Sequence, residues 1–180
     1  VLPFMRNATA GRGVPDERLL EVSQHYQLFG GRSPINEQNE ALRDALAADL
    51  ERRGCARPVT IGNRNWTPFF TDTVAELRRN RHHKVVAVAT AAYSCYSACR
   101  QYREDLDAAM RQVPGIAIDK GGPYAERDGF VSANVDALVQ AVQTLRSRIG
   151  DGRLKVLFVT HSIPTAMNAA SADGSPAARY

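Results

Sequence analysis

From Pro15 onward, apolar residues recur at helical spacing as Leu19, Val22, Tyr26 and Phe29, with acids in the first turn and Gly30 and Gly31 behind them. This pattern predicts an amphipathic helix with a defined stop. Ser33 and Pro34 then read as an N-cap and first-turn proline for a second helix. Its stripe is Ile35, Leu42, Leu46 and Leu50, and Gly54 ends it. Pro58 to Gly62, PVTIG, follows as a short strand. Thr67 and Pro68 restart a helix that runs through Leu77. Lys84 to Thr90, KVVAVAT, is a second strand with almost no polar alternation, a pattern expected of a strand covered on both faces. A helix around Cys99 to Met110, a third strand at GIAID and a long helix DGFVSANVDALVQAVQTLRSRI come next, the last with Phe130, Val135, Leu138, Val142 and Leu145 on one side. LKVLFVT, Leu154 to Thr160, closes the series as a strand.

Strands separated by helices in strict alternation predict an α/β fold, a mostly parallel sheet with flanking helices and right-handed crossovers. The chain carries no sequence repeat, low-complexity tract or internal domain boundary. Sites in such sheets lie outside the carboxyl ends of the strands. Three expected strands end in polar or aromatic clusters: Asn63-Arg64-Asn65-Trp66, Tyr93-Ser94-Cys95-Tyr96, and His161-Ser162. In a parallel sheet these clusters are expected on one rim.

The 180 residues suffice for one domain with a core. A net charge of +4 and a pI near 9.2 would suit an anionic ligand, yet basic and acidic residues alternate, as in RRNRHHK against REDLD, so most of the charge reads as solvated helix surface and nucleic-acid binding is not expected. No apolar run approaches the roughly 18 residues of a membrane helix, and VLPFMRNATAGRG lacks the layout of a signal peptide, so a cytoplasmic location is expected. Three cysteines, Cys55, Cys95 and Cys99, are an odd count and read as free thiols or metal ligands. The abrupt ends, VLPFM and SADGSPAARY, read as those of a fragment.

His161, at a strand mouth three residues before Pro164, reads either as a rigidly held ligand or base, or as a histidine whose ring ties down the turn; the pattern does not choose. His82 and His83 read as surface residues, and His25 as a packing or capping histidine. Cys95, Cys99 and Tyr102 share one face if their helix begins before Cys95. The thiols could join a metal or iron–sulfur site, which needs about four ligands, or serve as small packing residues. FGGRSPIN sets two glycines before a capped helix, where Ser33 or the backbone could hold a carboxylate, or where a tight turn simply meets a cap. No G-x-G-x-x-G, Walker A or G-x-S-x-G pattern is present, which removes the usual support for dinucleotide binding, phosphoryl transfer and serine hydrolysis.

Four stretches in order, LPFMRNATAGRGVPDERLLEVSQHYQLFGGRSPINEQN, GNRNW, AYSCYSACRQYRED and FVTHSIPTAM, resemble successive segments of the ferrochelatases, particularly the actinobacterial branch. The resemblance implies a lyase of haem biosynthesis that inserts ferrous iron into a porphyrin, with coproporphyrin III expected rather than protoporphyrin IX. It implies the first lobe of a two-lobed chelatase fold. Residues 1–167 are then that lobe without its first strand, and 168–180 the start of the connection to the second. By position, His161 matches the histidine of the metal insertion site, and Ser33 and Tyr102 match porphyrin contacts. Cys99 matches a cysteine expected to ligate a [2Fe-2S] cluster in the full-length protein, whereas Cys95 sits where animal enzymes place theirs. Trp66, Tyr93, Tyr96 and Ile163 would help wall the macrocycle. A glutamate partner is expected from the second lobe, so the fragment alone is expected to be inactive. A chelatase for another metal or tetrapyrrole, and a non-catalytic haem-binding module, remain as alternatives.

Overall fold

A computed structural model of the chain describes residues 1–160 and Thr165. Its elements are α1 (Leu2–Ala8), α2 (Asp16–Gln27), α3 (Ile35–Arg52), α4 (Phe70–Arg79), β1 (Lys84–Ala87), α5 (Arg100–Gln112), β2 (Ala117–Lys120) and α6 (Asp128–Ile149). β1 and β2 form a sheet. The Ala117 N–H donates to the His83 carbonyl at 2.8 Å and the Gly121 N–H to the Ala87 carbonyl at 2.8 Å, so the register advances equally on both strands and the pair is parallel. α5 is the crossover between them, the βαβ connection expected of an α/β fold.

The helices begin and end where local chemistry directs. α2 opens on Asp16 and Glu17, which complement its N-terminal dipole, and exposed His25 lies in its last turn. α6 spans the same residues as its sequence pattern and stops at Gly150, whose φ of 58° suits glycine. α1 has Pro3 in its first turn and ends at Thr9, whose hydroxyl donates to the Met5 carbonyl at 2.8 Å.

Two expected strands are not strands. Residues 58–62 have no strand pairing, and the nearest sheet-like contact among the described residues is the bridge from Asn63 to Phe69 just beyond them. Leu154 to Thr160 also lacks strand pairing among the described residues, and beyond half-buried Leu154 its apolar side chains are solvent-exposed, Phe158 at 91%. A strand needs a partner edge as well as an apolar run. β1 also differs from expectation, being covered on alternate residues only: Val85 and Ala87 are half-buried while Val86 and Val88 are exposed.

The chain forms two compact units, one of residues 1–85 and 105–118, the other of residues 86–104 and the chain from 119 onward. No linker in the sequence marks this division. In the first unit, α1 packs on α2; Met5 and Leu19 are the residues each buries. The Arg6 guanidinium grips Asp16 through two bonds, of 3.2 Å and 2.6 Å. That hydrogen bonding holds the Asp16 carboxyl below its ordinary range and raises Arg6. The core joins α4 to α5 and β2 through Val74, Ala109 and Ile116, with Leu77, Val85, Met110, Val113 and Ile118 packed around them. In the second unit, the Tyr124 and Ala125 N–H groups both donate to the Ala92 carbonyl, and Phe130 at the start of α6 meets Tyr93 and Tyr124 edge-on, with centroids 6.0 Å and 5.6 Å away.

Candidate functional site

Ser33 lies in the first unit, in the turn that leads into α3. Gly30 and Gly31 adopt φ of 76° and 68°, which lets the chain reverse tightly behind α2. The Gly31 N–H closes the turn on the Tyr26 carbonyl at 2.8 Å. The exposed Ser33 Oγ then accepts the Ile35 N–H at 3.3 Å, but the N-cap position falls on Pro34, one residue later than the sequence pattern places it, so Ser33 is not the N-cap and Pro34 is not a first-turn proline. Arg32 pairs with Glu37 across the same helix start at 2.8 Å. The result is a hydroxyl held at the N-terminus of an 18-residue helix, a position suited to an anionic oxygen.

The other polar cluster of this unit is the turn of Asn63 to Phe69. Its base is closed by the Asn63 N–H on the Pro68 carbonyl at 2.7 Å and the Phe70 N–H on the Asn63 carbonyl at 3.1 Å. The Asn63 side chain adds a bond to the Thr67 carbonyl at 3.2 Å. Below it, Gly62 faces the Phe70 ring, and Thr73 Oγ1 donates to the Ile61 carbonyl at 2.9 Å. Three partners from elsewhere meet the turn: Asn7 Nδ2 donates to the Asn65 carbonyl at 3.2 Å, Phe4 meets Trp66 edge-on at 6.4 Å, and Arg64 Nε donates to Asp105 at 2.6 Å. Asn7, Phe4 and Asp105 were not singled out as site residues. The only signal for Asp105 was its place in CRQYRED, and nothing local pairs it with an arginine 41 residues earlier.

The aromatic and thiol cluster belongs to the second unit. α5 begins at Arg100, so Cys95 lies outside the helix; a turn precedes it in which the Cys99 N–H donates to the Cys95 carbonyl at 2.8 Å. The condition for one continuous helical face from Cys95 to Tyr102 is therefore not met. Each thiol instead has a hydroxyl neighbour: Cys99 Sγ lies 3.5 Å from Ser94 Oγ, and Cys95 Sγ lies 3.3 Å from Ser97 Oγ. Tyr102, half-buried, occupies the first turn of α5, and Tyr93 is exposed. The Tyr96 hydroxyl and Arg100 Nε both donate to Glu104, at 3.5 Å and 3.0 Å.

All three cysteines are free thiols. Among the described residues no group of three or more His, Cys, Asp or Glu is placed to hold a metal. An iron–sulfur cluster takes about four ligands. The described residues therefore do not make up a cluster's donor set. His161, with Ser162 and Ile163, lies outside the described residues. No helix among the described residues is long and apolar enough to cross a membrane.

The ferrochelatase family profile matches residues 1–178. A coproporphyrin III ferrochelatase of Leifsonia xyli subsp. xyli is 48% identical over 92% of this chain and 44% of its own length. One from Streptomyces coelicolor is 47% identical over 97% of the chain and 47% of its own length. A ferrochelatase of Rhodopirellula baltica is 41% identical over 93% of the chain and 48% of its own length. The chain thus spans about half the length of the curated relatives it matches.

Proposed function

The chain belongs to the ferrochelatase family, and from that premise we propose that its protein inserts ferrous iron into coproporphyrin III in haem biosynthesis. The observation that carries this reading is the family match over residues 1–178, joined to relatives that act, by name, on coproporphyrin III. Iron and porphyrin are the substrates. Residues 1–167 are proposed as the first of two lobes, with 168–180 leading onward.

Insertion exchanges two pyrrole N–H protons for one Fe²⁺, so the site must accept protons and replace water on the metal. His161 is the proposed residue for this work. A neutral imidazole offers one lone pair, and that lone pair either takes a pyrrole proton or ligates the incoming ion. The proposed role of Ser33 is to bind a porphyrin carboxylate. Its Oγ accepts the Ile35 N–H, which leaves the hydroxyl proton to donate to an anion at the positive end of α3. Tyr102 is proposed as a second porphyrin contact, an amphipathic ring suited to a flat macrocycle. Cys99 is proposed as one ligand of a [2Fe-2S] cluster in the full-length protein, completed by residues other than those described. Replacing it with serine is expected to abolish the visible absorbance and electron paramagnetic signal of that cluster, and wild-type protein without iron–sulfur absorbance would remove the assignment.

The test is anaerobic insertion by the full-length protein, with coproporphyrin III or protoporphyrin IX against Fe²⁺, Co²⁺ and Zn²⁺. The highest kcat/KM is expected for Fe²⁺ with coproporphyrin III. A preference for protoporphyrin IX overturns the substrate assignment, and absence of iron insertion overturns the function.

A further inference from the structure

The densest run of positive charge in the chain is Arg78-Arg79-Asn80-Arg81-His82-His83-Lys84, where α4 ends and β1 begins. Each ion pair among the described residues involves an arginine from elsewhere, and Arg78, Arg79, Arg81 and Lys84 enter none. The helix dipole accounts for Arg78 and Arg79, which lie in the last turn of α4, but not for Arg81 and Lys84, which follow it. Nor are these side chains spent on capping. The Arg81 N–H donates to the Arg78 carbonyl at 3.1 Å and the His82 N–H to the Leu77 carbonyl at 3.0 Å, so backbone bonds satisfy the helix end.

The turn is held in one shape. Arg81 has a φ of 64°, the left-handed region where glycine is the usual residue, and among the described residues no other non-glycine has a positive φ. A cation kept where the backbone favours glycine points to a use for its side chain. His83 Nδ1 donates to the Gly115 carbonyl at 3.1 Å and the Ala117 N–H to the His83 carbonyl at 2.8 Å, which ties the turn to the start of β2 at two points. The Arg78 guanidinium lies against Gly115, where an added Cβ would stand 3.1 Å from Nε and 3.2 Å from Nη2. Arg78 Nε is buried without a hydrogen-bond partner, alone among the buried side-chain nitrogen and oxygen atoms of the described residues. An orphaned donor on a cation calls for an acceptor that carries negative charge. The Arg78 side chain is half-buried, so an anion from solvent can reach the guanidinium.

We propose that this turn is an anion site, with Arg78 as principal donor and Arg81 and Lys84 supplying charge. Its ligand is an oxyanion, a phosphate or carboxylate group, whose paired oxygens match an arginine fork. The turn lies at the amino end of β1, whereas substrates of parallel sheets bind beyond the carboxyl ends of the strands, so the occupant is a second ligand rather than the porphyrin.

The experiment is calorimetric titration of the full-length protein with inorganic phosphate and, separately, with citrate, at fixed ionic strength. Saturable one-site binding of at least one anion is expected, and the tighter of the two identifies the group the site takes. Arg78→Ala is expected to raise that Kd about tenfold, with Arg78→Lys between it and wild type. Arg81→Gly removes a cation while relaxing the backbone, so Kd is expected to rise about threefold with a thermal midpoint no lower than that of wild type. Arg57→Ala, which removes an exposed cation elsewhere, is expected to leave Kd unchanged. Absence of saturable binding by either anion overturns the proposal. Equal losses in Arg57→Ala and Arg78→Ala overturn it too, since they mark diffuse charge rather than a site, as does an unchanged Kd in both Arg78→Lys and Arg81→Gly. Displacement of the bound anion by one equivalent of coproporphyrin III would make the turn part of the porphyrin site and overturn it as a second one.

Discussion

Gly62 stands directly before the Asn63–Thr67 turn, and replacing it with alanine adds a methyl group where there is no room for one. The added Cβ would lie 2.9 Å from Phe70 Cδ1, 3.4 Å from Phe70 Cα and 3.4 Å from Thr73 Oγ1. The ring can swing aside, but the Cα belongs to the first residue of α4, and Thr73 Oγ1 is committed to the Ile61 carbonyl at 2.9 Å. Relief therefore falls first on the Phe70 ring, which must leave its place, while the two contacts at 3.4 Å leave the added methyl group little slack. Overpacking of this kind costs ~1–3 kcal/mol, and the lower entropy of an unfolded alanine chain offsets ~0.4–1 kcal/mol. The net loss is about 1–2 kcal/mol. Gly122→Ala is the control, since its Cβ would meet nothing within 4 Å, and a change within about 0.5 kcal/mol is expected. Urea unfolding of the full-length variants, followed by circular dichroism, measures both. Gly62→Ala as stable as Gly122→Ala would refute the packing argument, as would an equal loss at both positions.

Further outcomes follow from two separate contacts. Phe130→Ala should destabilise by about 1–3 kcal/mol through loss of two edge-on ring contacts, and Phe130→Leu by less because it keeps apolar bulk; equal urea midpoints for the two variants would contradict this. Arg6→Ala should return the Asp16 pKa upward toward 3.8, measured by carboxyl NMR titration, because the Arg6 hydrogen bond is the chief cause of its depression. A depressed carboxyl stabilises the fold above its ordinary pKa, and that contribution is lost as pH falls through the folded value, so Arg6→Ala should also flatten the acid limb of the stability profile; an unchanged titration would contradict the assignment.

Much of the helical architecture was legible because helices are local. The apolar spacing and acidic first turn of α2 and the unbroken pattern of α6 each lie within one segment, and the observed bounds follow them, while α3 starts one residue later than its Ser33-Pro34 signal places it. Strands were less so. β1 and β2 found each other across a crossover, but PVTIG and LKVLFVT carry the same β-branched, apolar signal without a laddered partner, and that partner is a non-local fact. α1 was not read from the sequence, since seven residues with a proline near the start give too short a period to recognise. In the candidate site, Ser33 was legible as part of the turn into α3 and Cys95 and Cys99 as a spaced pair, whereas Arg64 with Asp105 and Asn7 with Asn65 join residues far apart in sequence, and no periodicity announces such pairs.

The central claim is that this chain supplies the proton-accepting or metal-ligating imidazole of an iron-inserting enzyme. The most direct measurement is His161→Ala in the full-length protein, with ferrous iron insertion into coproporphyrin III and porphyrin affinity determined on the same preparation. The account predicts that kcat falls by about 10²–10⁴-fold, the range for loss of a positioned acid–base group, while Kd for the porphyrin stays within about twofold. Insertion near the wild-type rate would contradict it.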